Sequence, residues 1–165
     1  MFYKRFGIVV LLSLFMVFPL SASMVSFLLI ETGLKTGSNS GEYTNVWEDG
    51  LMSAFFDAGH IVSNSPVMRL ENVTASDLEG NILPAQAQED FSDAARGGAD
   101  FFIMAILEYN SQGGRYKPQM ISIRIFSTVS RGLIYEHRFP AGTGANLRDE
   151  YNKAQETARI IAAQI

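Results

Sequence analysis

Apolar positions along this chain change their period several times, and each change predicts an element. The first run, residues 6–20, follows Lys4 and Arg5 and precedes the small residues Ser21, Ala22 and Ser23. That charged, apolar, small order is the pattern of a secretory signal, and the run is short for a membrane span. Residues 1–23 are therefore predicted to be an export signal cleaved near Ser23. An uncleaved anchor is the competing reading, because residues 24–30 are again mostly apolar. Pro19 and the small residues interrupt the stretch, however, and residues 25–30 read better as a central strand covered on both faces.

The pattern then alternates between helix and strand periods. A Gly, Ser, Thr and Asn-rich loop leads to a helix predicted to start near Asn45, with Glu48 reaching back and Trp47, Leu51, Phe55 and Ala58 on one face. Gly59 is placed to end it in a left-handed conformation. Residues 60–62 and 67–70 predict one strand interrupted at Pro66. A polar connection over 71–88 precedes a second helix over 88–96, stopped by Gly97 and Gly98. Residues 101–109 are apolar and β-favouring, while Ile121, Ile123 and Ile125 alternate with Ser122 and Arg124. A hairpin turn centred on Ser130 sets Arg124 opposite Glu136 and Ile123 opposite His137. The last helix has Asn146 as cap, Asp149 and Glu150 in its first turn, and Leu147, Tyr151, Ala154, Ala158, Ile161 and Ile165 down one side. The helix is predicted to pack on the sheet, with Ala154 and Ala158 allowing close approach. The fold class is α/β (α+β): residues 24–165 form a single domain, with one small mixed sheet of about four or five strands packed by about three helices.

Charge and chemistry narrow the function. Without Lys4 and Arg5 the chain has 11 Lys and Arg against 17 Asp and Glu, and it shows no basic stripe, which argues against a nucleic-acid partner. The absence of cysteine excludes thiol catalysis, cysteine-ligated zinc, disulfides and acylation at a lipoprotein cysteine. The two histidines, His60 and His137, have no second ligand at helical or strand spacing. No serine sits in a nucleophile-elbow context. Gly142-Thr143-Gly144-Ala145-Asn146 stands before a helix, where free amides favour anions, but neither a dinucleotide fingerprint nor a phosphate loop is complete. Glu89, Asp90 and Asp93 read as the exposed face of a helix, since the alternating oxygen ligands of a calcium loop are missing. Asn72-Val73-Thr74 matches a glycosylation acceptor. The sequence thus predicts no catalytic residue, no metal and no cofactor.

Two segments are candidate contact surfaces. Residues 110–119 read as a long connection between two apolar strands, and its tip offers Arg115, Tyr116 and Lys117 to a partner. The loop over 32–43, with Thr32, Lys35 and Tyr43, leaves the carboxyl end of a central strand, where open α/β sheets place ligands. There Trp47 or Tyr43 would stack on a small molecule or glycan. A hydrolase would need a nucleophile, base and acid to converge in one cleft.

Taken in order, the pieces resemble the envelope domain family that includes the amino-terminal domain of TolB, the curli secretion protein CsgG and the penicillin-binding-protein activator LpoB. The strand over 25–30, the helix containing Leu51, Phe55 and Gly59, the entry Gly98-Ala99-Asp100-Phe101-Phe102-Ile103, the hairpin with Arg131-Gly132-Leu133-Ile134 and the final helix carry the resemblance. It implies a small sheet sandwiched by helices, used in bacterial envelopes as a protein-binding module rather than an enzyme. The chain lacks the family's acylated cysteine, the TolB propeller and any segment for a membrane barrel, so neither pore formation nor the TolB system carries over. The reading is an exported, periplasmic domain that binds another envelope protein, with no stable membrane span after signal cleavage. A periplasmic or secreted small-molecule or glycan binder is the alternative. Oligomeric state is left open.

Overall fold

The computed structural model describes residues 22–38, 40, 42–71, 73, 75–78, 83–143 and 145–165. Residues 1–21 of the expected export signal, and Asn72 and Thr74 of the glycosylation pattern, lie outside the described residues. In chain order the elements are β1 (Met24–Thr32), α1 (Tyr43–Asp57), β2 (Ile61–Asn64), β3 (Met68–Arg69), a 3-10 turn (Ala75–Leu78), α2 (Ala85–Arg96), β4 (Phe101–Gln112), β5 (Arg115–Ser127), β6 (Gly132–Pro140) and α3 (Leu147–Ala162).

The strands form one six-stranded mixed sheet in the order β2-β1-β4-β5-β6, with β3 also pairing β1. β1 runs parallel to β2, β3 and β4, whereas β4, β5 and β6 form an antiparallel meander. The strand count exceeds the expected four or five because the break at Pro66 separates β2 from β3. β1 is apolar on both sides because both sides are covered. Val25, Phe27 and Leu29 enter the core shared with α1 and α3, while Leu28 and Ile30 enter the core under α2. Burying each such side chain contributes about 1.5–3 kcal/mol.

Several boundaries differ from the sequence reading. α1 begins at Tyr43 rather than near Asn45, and its cap position, Glu42, makes no side-chain cap bond. The earlier start is fixed by tertiary contact: Thr44 is buried, and its hydroxyl donates to Glu31 of β1. Ala58 falls just past the helix and is exposed, while Gly59 takes the expected left-handed conformation at φ 92°. α2 starts at Ala85, immediately after Pro84, and closes at Gly97 and Gly98.

The segment 110–119 is not a loose connection. β4 and β5 continue through it to a two-residue turn, Gly113-Gly114, in which both φ angles are positive. That is the conformation tight hairpins require. The apolar alternation fades there because most of these residues are exposed and only Tyr116 and Pro118 turn inward on β5, so the sequence reads as a loop. The β5–β6 register places Arg124 opposite Glu136 and Ile123 opposite His137, as expected, with a bulge after Ile125. Asn146 caps α3 by accepting from Asp149 N at 2.9 Å. Ala154, Ala158 and Ile161 are fully buried on its inner side.

Candidate functional site

β1 ends in a charged residue that the fold keeps inside. Glu31 is 3 % exposed. One carboxylate oxygen accepts from Thr44, and the other accepts from Arg69 Nε at 2.7 Å. Arg69 also donates to the Ser38 carbonyl at 3.1 Å and to Ser40 Oγ at 3.3 Å, which ties the loop after β1 to β3. Tyr109 of β4 completes the group, its hydroxyl 2.6 Å from Thr44 Oγ1. Burial holds the Tyr109 hydroxyl well above its ordinary range; the Thr44 hydrogen bond opposes this, Glu31 and Glu150 add to it, and Arg69 opposes it. Above these groups opens a concavity of about 390 Å³ lined by Glu31, Ser40, Thr44, Asn45, Val67 and Arg69. It lies at the carboxyl end of a central parallel strand, where α/β sheets present ligands.

The residues expected of that loop are not gathered there. Thr32 is buried, and its hydroxyl donates to the Leu107 carbonyl at 3.3 Å. Lys35 is exposed, its carbonyl accepting from Ser38 N at 2.9 Å. Tyr43 is half-buried against the core. Trp47 is fully buried and donates its indole N–H to Glu150 Oε2 at 2.8 Å, which removes it as a stacking platform. Glu31 and Arg69 were missed from sequence. The available signal was an acid closing an otherwise apolar strand, a position where a carboxylate needs a partner.

Arg115, Tyr116 and Lys117 lie on a strand that outruns its neighbours. β1 pairs with β4 only as far as Glu108, and β6 pairs with β5 only up to Met120. The hairpin beyond is therefore a two-stranded ribbon. Alternation puts Arg115 and Lys117 on one face and Tyr116 on the other, half-buried against the α1/α3 core. Arg115 is exposed. The structure thus brings the three side chains to one strand but not to one surface.

The remaining chemistry resolves into structural roles. Glu150 is fully buried, and its Oε2 accepts from Gly142 N at 3.1 Å as well as from Trp47. The chain's own carboxylate therefore occupies the amide at which the glycine segment would begin to hold an anion. His60 packs on Phe55, with ring centroids 5.6 Å apart, and His137 packs between Tyr135 and Phe139. Glu89 and Asp93 face outward as expected, but Asp90 is half-buried. Burial raises its carboxyl above the usual range, the Ser65 hydrogen bond opposes this, and Asp93 and Glu89 add to it. Among the described residues, no three His, Cys, Asp or Glu side chains meet as a metal site, and no helix is long and apolar enough to cross a membrane.

No protein-family model matches the chain, and no curated protein matches it. Solved structures share its overall shape at a distance. The PelC dodecamer from Paraburkholderia phytofirmans is 9% identical over 87% of this chain and 87% of its own, with a TM-score of 0.46. Lipoprotein GNA1162 from Neisseria meningitidis is 10% identical over 87% of this chain and 96% of its own, with a TM-score of 0.45. TolB from Acinetobacter baumannii is 8% identical over 87% of this chain but only 27% of its own, with a TM-score of 0.40. These are remote likenesses of fold, and they assign no family.

Proposed function

We propose that the chain is an exported envelope protein that binds another envelope protein without catalysing a reaction, and that it presents the β4–β5 ribbon to that partner. The observation that supports this reading is the ribbon's projection beyond both neighbouring strands. A two-stranded arm offers backbone edges, the exposed Arg115 and, across the strand, the half-buried Tyr116. With Arg115 exposed on one face, the complementary partner surface is acidic. The test is photocrosslinking in intact cells from position 115, with position 159 on the exposed side of α3 as control. A discrete protein adduct from 115 alone supports the reading, and adducts from neither or equally from both reject it.

The concavity over Glu31 and Arg69 favours a second reading, capture of a small polar molecule. Native mass spectrometry of the protein purified from its host would then show a bound small molecule that the Arg69→Ala variant loses. An unliganded mass in the unaltered protein would dismiss it.

A further inference from the structure

The sheet ends at β6, and its outer side is open: Glu136, His137, Arg138 and Pro140 are all exposed. The phase of the β5–β6 ladder fixes which backbone groups are left over. Ala141 N donates to the Gln119 carbonyl at 2.9 Å, so Phe139, His137 and Tyr135, two residues apart, aim their backbone groups at β5. Glu136 and Arg138 therefore aim theirs outward. Their side chains lie on the α2 side of the sheet, each already paired within the chain. Arg124 Nε donates to Glu136 at 2.7 Å, and Arg138 Nη2 donates to Glu108 at 2.5 Å.

We propose that β6 pairs antiparallel with β6 of a second copy of this chain, about a two-fold axis through His137, joining two sheets into one. A two-fold interface must be self-complementary, and this register is. Glu136 lies opposite the second copy's Arg138, and Arg138 lies opposite its Glu136. Both residues supply outward N–H and C=O groups, giving a ring of backbone hydrogen bonds on each side of the axis. The charges then run as a ladder, Glu108 to Arg138 across to Glu136 and Arg124, twice over. On the other face Tyr135 meets Phe139 of the second copy, and the two His137 rings face each other. Moving the axis to Glu136 or to Arg138 sets like charges opposite one another, so the charge pattern selects the His137 register. Edge charges and prolines more often serve to prevent pairing. Here the alternating signs match under the two-fold, and Pro140, which has no N–H, bounds the paired stretch instead of interrupting it.

The interface is separate from the ribbon, and its test does not depend on the ribbon's partner. The purified protein is expected to double in mass by light scattering as concentration rises, and Arg138→Glu is expected to abolish the doubling while leaving the circular dichroism spectrum unchanged. Because the chain has no cysteine, His137→Cys provides a direct probe of the axis. Facing residues of a non-hydrogen-bonded pair have Cα atoms about 4.5 Å apart, within disulfide reach. Oxidised His137→Cys should run as a covalent dimer, while Val129→Cys, at an 88 % exposed position on the adjoining turn, should remain monomeric. A monomeric mass at every concentration would overturn the proposal. So would a doubled mass without the position-137 disulfide, or equal cross-linking from position 129.

Discussion

The carboxylate of Glu150 holds two parts of the chain at once. It accepts the indole N–H of Trp47 in α1 and the backbone amide of Gly142, which fixes the approach to α3. Both bonds end on the same oxygen, so Glu150→Gln can keep them by placing its amide oxygen there, whereas Glu150→Ala leaves two donors unpaired and should cost about 2–3 kcal/mol more than Glu150→Gln, read as a lower urea midpoint. Sequence identified this residue only as an acid suited to a helix start, because its partner Trp47 is 103 positions away. Tyr109 gives a second test at the residue scale. Its neutral form is favoured in the folded protein, so its folded pKa lies above the unfolded value of 10.0. The stability tied to that form is complete below the unfolded value and is lost as pH rises from there through the folded one. Urea titrations at stepped alkaline pH should therefore show a steeper loss than in Tyr109→Phe, by up to about 1.4 kcal/mol per pH unit.

Among elements, the α1/α3 crossing is a close contact and is readily tested. A Cβ added at Gly50 would lie 2.6 Å from Ala154 Cβ and 3.1 Å from the Tyr151 carbonyl. Gly to Ala inside a helix normally stabilises by about 1 kcal/mol. Here the helices would be forced apart, so Gly50→Ala should instead destabilise by about 1–3 kcal/mol, and adding Ala154→Gly should recover part of the loss in thermal melts. The sequence predicts that Ala154 and Ala158 bring α3 close to the sheet; Ala154 also meets Gly50 of α1, a partner the sequence did not indicate. Legibility followed locality. The start of α3 was readable because Asn146 and Asp149 settle it between themselves, whereas α1 starts where Thr44 reaches across the intervening loop to Glu31 at the end of β1. The ribbon was unreadable for the opposite reason: most of its residues are exposed, and inward packing at Tyr116 and Pro118 is too little to impose an apolar alternation.

For the molecule as a whole, β1 stands between two cores, and its unbroken apolar run revealed that from sequence alone. The polar group over Glu31 did not show, since Arg69 reaches it only after β3 folds alongside β1. Amide exchange should follow the same hierarchy. Central β1 and β4 amides should exchange only through global unfolding, while those of β2 and β3, with their exposed residues, should open earlier. The two flanks of the sheet also differ in a way that limits assembly. One flank is split at Pro66 into strands of four and two residues, and the other is an unbroken strand of nine. A sheet that can be extended on both flanks has a valence of two and grows without end into fibrils. Here the second flank is short and split, so joining at β6 takes up the one long edge among the described residues and favours a pair over a fibril.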